Sequence, residues 1–132
     1  MSFKRLGAVI LLVSDMDKSI KFYRDILELP IKNTSSEWIE FFSSGTVLAL
    51  HPSKSKSKTK NSRVLVGFMV SNLETVAKKL KDKKVEFFKE PKEESFGKHA
   101  IIADPDGHLI SIAEISSKIS EGFDLIGLIG AE

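Results

Sequence analysis

The sequence contains no cysteine. Disulfide staples, thiol nucleophiles and cysteine metal sites are thereby excluded, and the absence accords with a reducing cytoplasm, the compartment expected for the protein. Four prolines and eight glycines are too few for a collagen-like or Pro/Gly-rich low-complexity chain. No apolar run approaches the roughly 20 residues that a membrane-spanning helix needs, so no membrane passage is expected. Charge of one sign is scarce as well. Twenty basic side chains against 18 acidic ones leave +2, which is no general field for nucleic acid or anionic lipid. The basic start Met1-Ser2-Phe3-Lys4-Arg5 before an apolar stretch has the outline of a secretory signal. Asp15 and Asp17 follow at once and no small-residue cleavage site precedes them, so the stretch reads as part of the fold.

What is present describes a globular protein. At 132 residues, 42% hydrophobic and 29% charged, the chain has the size of one ordinary domain and buries a core without staples.

One pattern occurs twice. Val13-Ser14-Asp15-Met16-Asp17 is echoed 57 residues later by Val70-Ser71-Asn72-Leu73-Glu74. Each copy follows an apolar strand and precedes a helical period, so the chain reads as two like modules. In the first, Leu6 to Val13 is a strand covered on both faces. Ser14 and Asp17 have capping-box spacing for a helix whose stripe is Met16, Ile20, Tyr23 and Leu27 and which stops at Leu29-Pro30. Strands follow around Ile31 to Asn33, from Trp38 to Phe42 and from Thr46 to His51, the last two joined through Ser43-Ser44-Gly45.

Pro52 to Lys60 is a lysine- and serine-rich run, read as a solvated loop; no aromatic side chains interleave its lysines as a nucleic-acid contact would favour. The second module repeats the order. It has a strand from Arg63 to Val70, a cap at Ser71 with Glu74, and a stripe of Leu73, Val76, Ala77 and Leu80. A strand from Val85 to Lys89 follows, then a polar loop from Pro91 to Gly97. His99 to Ala103 and His108 to Ile115 form a hairpin around Asp104-Pro105-Asp106-Gly107, whose proline, aspartates and glycine suit a tight turn. The fold class is therefore α+β, two βαβββ modules with a cleft between them. Module one spans residues 1–52, the linker 53–61 and module two 62–115, within a domain of residues 1–117. Residues 118–132 form a tail whose apolar stretch Phe123 to Gly130 marks a contact surface.

Val13-Ser14-Asp15-Met16 leading into Ser19-Ile20-Lys21-Phe22-Tyr23-Arg24-Asp25-Ile26-Leu27, with Asp104-Pro105-Asp106-Gly107-His108-Leu109-Ile110, resembles the vicinal oxygen chelate superfamily. That superfamily includes glyoxalase I, bleomycin-resistance proteins, methylmalonyl-CoA epimerase and extradiol dioxygenases. The resemblance implies a glyoxalase-like fold of two curled sheets, a homodimer, and in the metal-dependent members four side chains holding a divalent ion in the cleft. Carried over, those positions fall on Ala8, Ala49, Leu65 and Ser111. Alanine and leucine have no donor and a lone serine hydroxyl is a poor ligand. No metal ligand and no cofactor is therefore expected, a divalent metal belonging only to an alternative reading.

Alternation along the strands predicts what the cleft presents: Ala8, Ile10 and Leu12; Val47, Ala49 and His51; Leu65, Gly67 and Met69; Leu109, Ser111 and Ala113. The lining is small and apolar, with His51 and Ser111 as orienting polar groups, and suits an apolar or aromatic ligand. A collapsed core is the other reading of the same residues. Trp38 either closes the cleft by stacking on a ligand or is an ordinary half-buried strand tryptophan. Of the remaining donors, only His51 is expected to face the cleft. His99 is expected at the rim or exposed, and His108 and Glu114 on the face opposite Ser111.

Three functions fit. The first is a binding protein of the bleomycin-resistance type that holds a small organic ligand without the usual metal. The second is a metal-dependent lyase, epimerase or extradiol dioxygenase with a rebuilt site. The third is a protein-interaction module. No nucleic-acid or membrane partner is expected.

Overall fold

The structure is a computed structural model and describes residues 4–53, 64–95 and 97–115. These residues belong to two compact units, one within residues 1–59 and the other within 60–132. The lysine-rich run from residue 54, Arg63 and the tail at 118–132 lie outside the described residues.

In the first unit the order is β1 (Ala8–Val13), α1 (Met16–Ile20) continued by a π-helical segment (Lys21–Ile26), β2 (Ile31–Ser35), β3 (Trp38–Phe41) and β4 (Val47–Pro52). The four strands make one sheet in the order β1-β4-β3-β2, with β1 parallel to β4 and the other pairs antiparallel. Leu11, Val13, Ile39, Phe41, Leu48 and Leu50 are buried on one face. Tyr23 lies 6.2 Å from Phe41 between ring centroids and 5.0 Å from Phe22, so the helix side of this core is aromatic.

The helix departs from the expected period. Ser19, Phe22 and Tyr23 are its buried residues, rather than a stripe of Met16, Ile20, Tyr23 and Leu27. From Lys21 on, the winding is wider than α: the Leu27 amide donates to Phe22 O at 2.9 Å and the Leu29 amide to Tyr23 O at 3.0 Å. The helix ends before Pro30, with Glu28 in the left-handed region at φ 60°. Its start is also shifted. Asp15, not Ser14, is the N-cap, with extended φ/ψ and a side chain that accepts from the Lys18 amide.

The second unit has the order β5 (Val66–Met69), α2 (Leu73–Asp82), β6 (Glu86–Glu94), β7 (Gly97–Ala103) and β8 (Leu109–Ile115). Its sheet is β5-β8-β7-β6, again with one parallel pair, β5 with β8. Here the expected stripe holds: Leu73, Ala77 and Leu80 are buried, and the sheet face they can cover carries the buried Ala100, Ile102, Ile110 and Ile112. The cap is Asn72 rather than Ser71, accepting from the Thr75 amide.

The polar loop expected from Pro91 is instead strand. β6 continues through Pro91 to Glu94, with register shifts between Phe87 and Lys89 and between Lys89 and Lys92. β6 is an edge strand, and an edge strand with bulges accommodates a proline that a central strand would reject. The tight turn forms as expected. The Gly107 amide donates to Asp104 O at 2.9 Å with Gly107 at φ 90°, and the Asp104 amide donates to His108 O at 3.0 Å.

Candidate functional site

Each sheet has a face turned away from its own helix, and every predicted ligand-binding residue lies on, or beside the end of, one of these two faces. In the first unit the register pairs Ala8 with Val47, Ile10 with Ala49 and Leu12 with His51, then Ala49 with Glu40 and Glu40 with Asn33. Paired residues project to the same side. Ile10 is 51% and Leu12 55% exposed, His51 is exposed, and Ala49 is buried at the centre of the sheet. Trp38 is half-buried and meets the His51 ring edge-on, 5.8 Å between centroids at 80°. It is therefore a strand tryptophan on the predicted face.

Glu40 joins this face, although only His51 was expected to supply a donor there. The Trp38 indole Nε1 donates to Glu40 Oε2 at 2.7 Å and the Asn33 side-chain amide to Oε1 at 3.2 Å. These bonds, the Trp38 one foremost, hold the carboxyl below its ordinary range. The signal was available, since Glu40 follows Trp38 by two residues in a strand and so shares its face.

In the second unit Gly67 pairs with Ser111 and Met69 with Ala113 across β5 and β8, and Ile101 with Ser111 and His99 with Ala113 across β7 and β8. Met69 is 55% exposed, Leu65 just before β5 is exposed, Leu109 is half-buried, and Ser111 and Ala113 are buried. The expectation of an exposed or rim-forming His99 is overturned. It is 1% exposed, and its Nε2 lies 2.6 Å from Ser111 Oγ. The ring reaches Ser111 diagonally across the β7–β8 pair, a contact that follows from register and not from local sequence.

Glu114 is placed as alternation required, and His108 lies in the turn just before β8. The Glu114 carboxylate accepts from the Leu73 amide at 2.7 Å, at the start of α2. His108 Nδ1 lies 2.9 Å from Asp104 Oδ2, while Asp104 Oδ1 accepts from the Asp106 and His108 amides at 2.9 and 2.8 Å. That carboxylate raises the His108 pKa against the opposing effect of burial.

Residues 6–117 match the family described as the glyoxalase-like domain. The chain belongs to that family. No curated protein matches it by sequence. Solved glyoxalase-like structures share its fold. A glyoxalase/dioxygenase from Nostoc punctiforme superposes with a TM-score of 0.74 at 20% identity, covering 86% of this chain and 92% of the other. A glyoxalase/bleomycin resistance protein/dioxygenase from Nocardioides gives 0.71 at 18% identity, covering 89% and 87%. A lactoylglutathione lyase from Agrobacterium tumefaciens gives 0.67 at 16% identity, covering 93% and 100%.

Within this glyoxalase-like domain, the positions to which the family resemblance assigns a divalent ion do not fit one. Ala8, Ala49 and Leu65 end in carbon, and the Ser111 hydroxyl is engaged with His99. Glu40 and His51 share the first sheet face, but among the described residues no group of three or more His, Asp or Glu side chains is arranged to hold a metal. Zinc or iron normally takes at least three protein donors.

Proposed function

We propose that this glyoxalase-like domain binds a small organic molecule of apolar or aromatic character on the sheet faces opposite its helices, without a metal at the family's usual positions. One observation carries the reading: Ile10 and Leu12 on one face and Met69 on the other keep more than half of their surface in water, beside polar groups suited to orient a ligand. An apolar surface with a few placed polar groups is the ordinary construction of a small-molecule site. The residues proposed to contact the ligand are Ala8, Ile10, Leu12, Trp38, Ala49, His51, Leu65, Met69, Leu109 and Ser111. A homodimer in a reducing cytoplasm belongs to the same proposal.

Native mass spectrometry of the untagged protein, paired with elemental analysis after anaerobic incubation with nickel, zinc, manganese and ferrous iron, tests it. The expected result is a carried organic mass or a bound aromatic probe, and no stoichiometric metal. Metal near one per chain overturns the reading in favour of a lyase, epimerase or dioxygenase with a rebuilt site.

A further inference from the structure

We infer that the ligand of the first unit's face carries a positive charge, for which the Glu40 carboxylate is the counter-charge and Trp38 the aromatic neighbour. The inference deepens the binding reading above and rests on it.

Glu40 stands on a sheet face it shares with Ile10, Leu12, Asn33, Trp38 and His51, paired in register with Ala49. Both of its oxygens are already oriented, Oε2 by the Trp38 indole at 2.7 Å and Oε1 by Asn33 at 3.2 Å. An ionised carboxylate has about four acceptor positions, so two directions remain for an incoming donor. Among the described residues no lysine or arginine forms an ion pair with Glu40, and Lys32 on β2 attracts it only weakly from outside contact distance. The surroundings complete the description. Trp38 supplies a π system, the best of the aromatic partners for a cation. Ile10 lies across Ala49 from Glu40 in the sheet, and Leu12 is paired with His51, which gives the ligand's hydrocarbon body somewhere to rest. A carboxylate held in place by two neutral donors, next to an indole and exposed aliphatic side chains, is matched by an organic ammonium with an apolar or aromatic body. A carboxylate or phosphate ligand would meet repulsion there.

Trp38 is the one tryptophan of the chain, so its indole N–H resonance reports directly on the Glu40 contact. The experiment is an NMR titration of the full chain with 2-naphthylmethylammonium, 2-naphthylmethanol and 2-naphthoate. The cation is expected to bind about fivefold or more tighter than the alcohol, and the carboxylate weakest, from a partly exposed ion pair plus a cation–π contact. Glu40→Gln keeps an acceptor for the indole but removes the charge, and is expected to abolish the preference for the cation over the alcohol. Equal binding of cation and alcohol overturns this inference and leaves the binding reading standing. A cation preference that survives Glu40→Gln also overturns it. Failure of all three probes to shift the resonance overturns this inference and, with it, the binding reading for the first unit's face. An indole shift that depends on protein concentration alone assigns the face to a second copy of the chain and overturns the inference as well.

Discussion

Asp15 and Asn72 are structural counterparts: each has extended backbone, φ −140° and ψ 102° against φ −144° and ψ 99°, and each accepts from the amide three residues on at 3.1 Å. An N-cap of this kind satisfies a helix-start amide that otherwise has no intrahelical acceptor. Replacing either by alanine is expected to cost about 1 kcal/mol. The two losses should add in the double variant, within about 0.5 kcal/mol, if the caps act independently. Urea denaturation of the three variants measures this.

Glu114 performs a neighbouring task at α2 from a distant strand, accepting from the buried Leu73's amide at 2.7 Å. Glu114→Ala is expected to cost about 1.5–3 kcal/mol, the range for a hydrogen bond to a charged group. Glu114→Gln retains an acceptor and should cost less. Hydrogen exchange at the first turn of α2 should rise in the alanine variant before the rest of the unit is affected.

His108 makes stability fall as pH rises. Its pKa is raised in the folded protein by Asp104, so the folded state binds the proton more tightly than the unfolded one. The contribution is complete below the unfolded value of about 6.5 and disappears as pH climbs through the higher folded value. Thermal melts across neutral and mildly alkaline pH should show this decline in the parent protein and a flatter profile in His108→Gln.

Leu65→Glu and Ile10→Glu separate folding from binding. Both side chains are exposed, 37% and 51%, so each variant should fold with stability within about 0.5 kcal/mol of the parent. A charge on an apolar ligand surface lacks a partner once a ligand covers it. Binding of the neutral probe 2-naphthylmethanol should therefore fall tenfold or more, read by Trp38 resonance for Ile10→Glu and by calorimetry for Leu65→Glu. Unchanged affinity in both folded variants would remove these faces from consideration.

Ser111→Ala tests the buried polar pair of the second unit. It deletes the hydroxyl 2.6 Å from His99 Nε2 and is expected to cost about 1–3 kcal/mol, the penalty for taking a partner from a buried polar group. Chemical denaturation measures it.

Local chemistry by itself determined the duplicated order of elements, the α2 stripe, the Asp104–Gly107 turn and the alternation that puts Glu114 opposite Ser111. Each depends on residues close in the chain, where spacing, capping chemistry and glycine's tolerance of positive φ act directly. The near-misses have the same origin. Ser14 and Asp15 are both good caps, and so are Ser71 and Asn72, so composition brackets the helix start to within one residue and backbone geometry chooses between them. Only the tertiary structure decided the rest. Packing of Tyr23 against Phe22 and Phe41 accompanies a π winding that a 3.6-residue period does not foresee, and pairing with β7 carries β6 through Pro91. Register brings His99 to Ser111 and Asn33 to Glu40, because a hydrogen bond between strands depends on which residues lie opposite one another, and that is a property of the assembled sheet rather than of either strand.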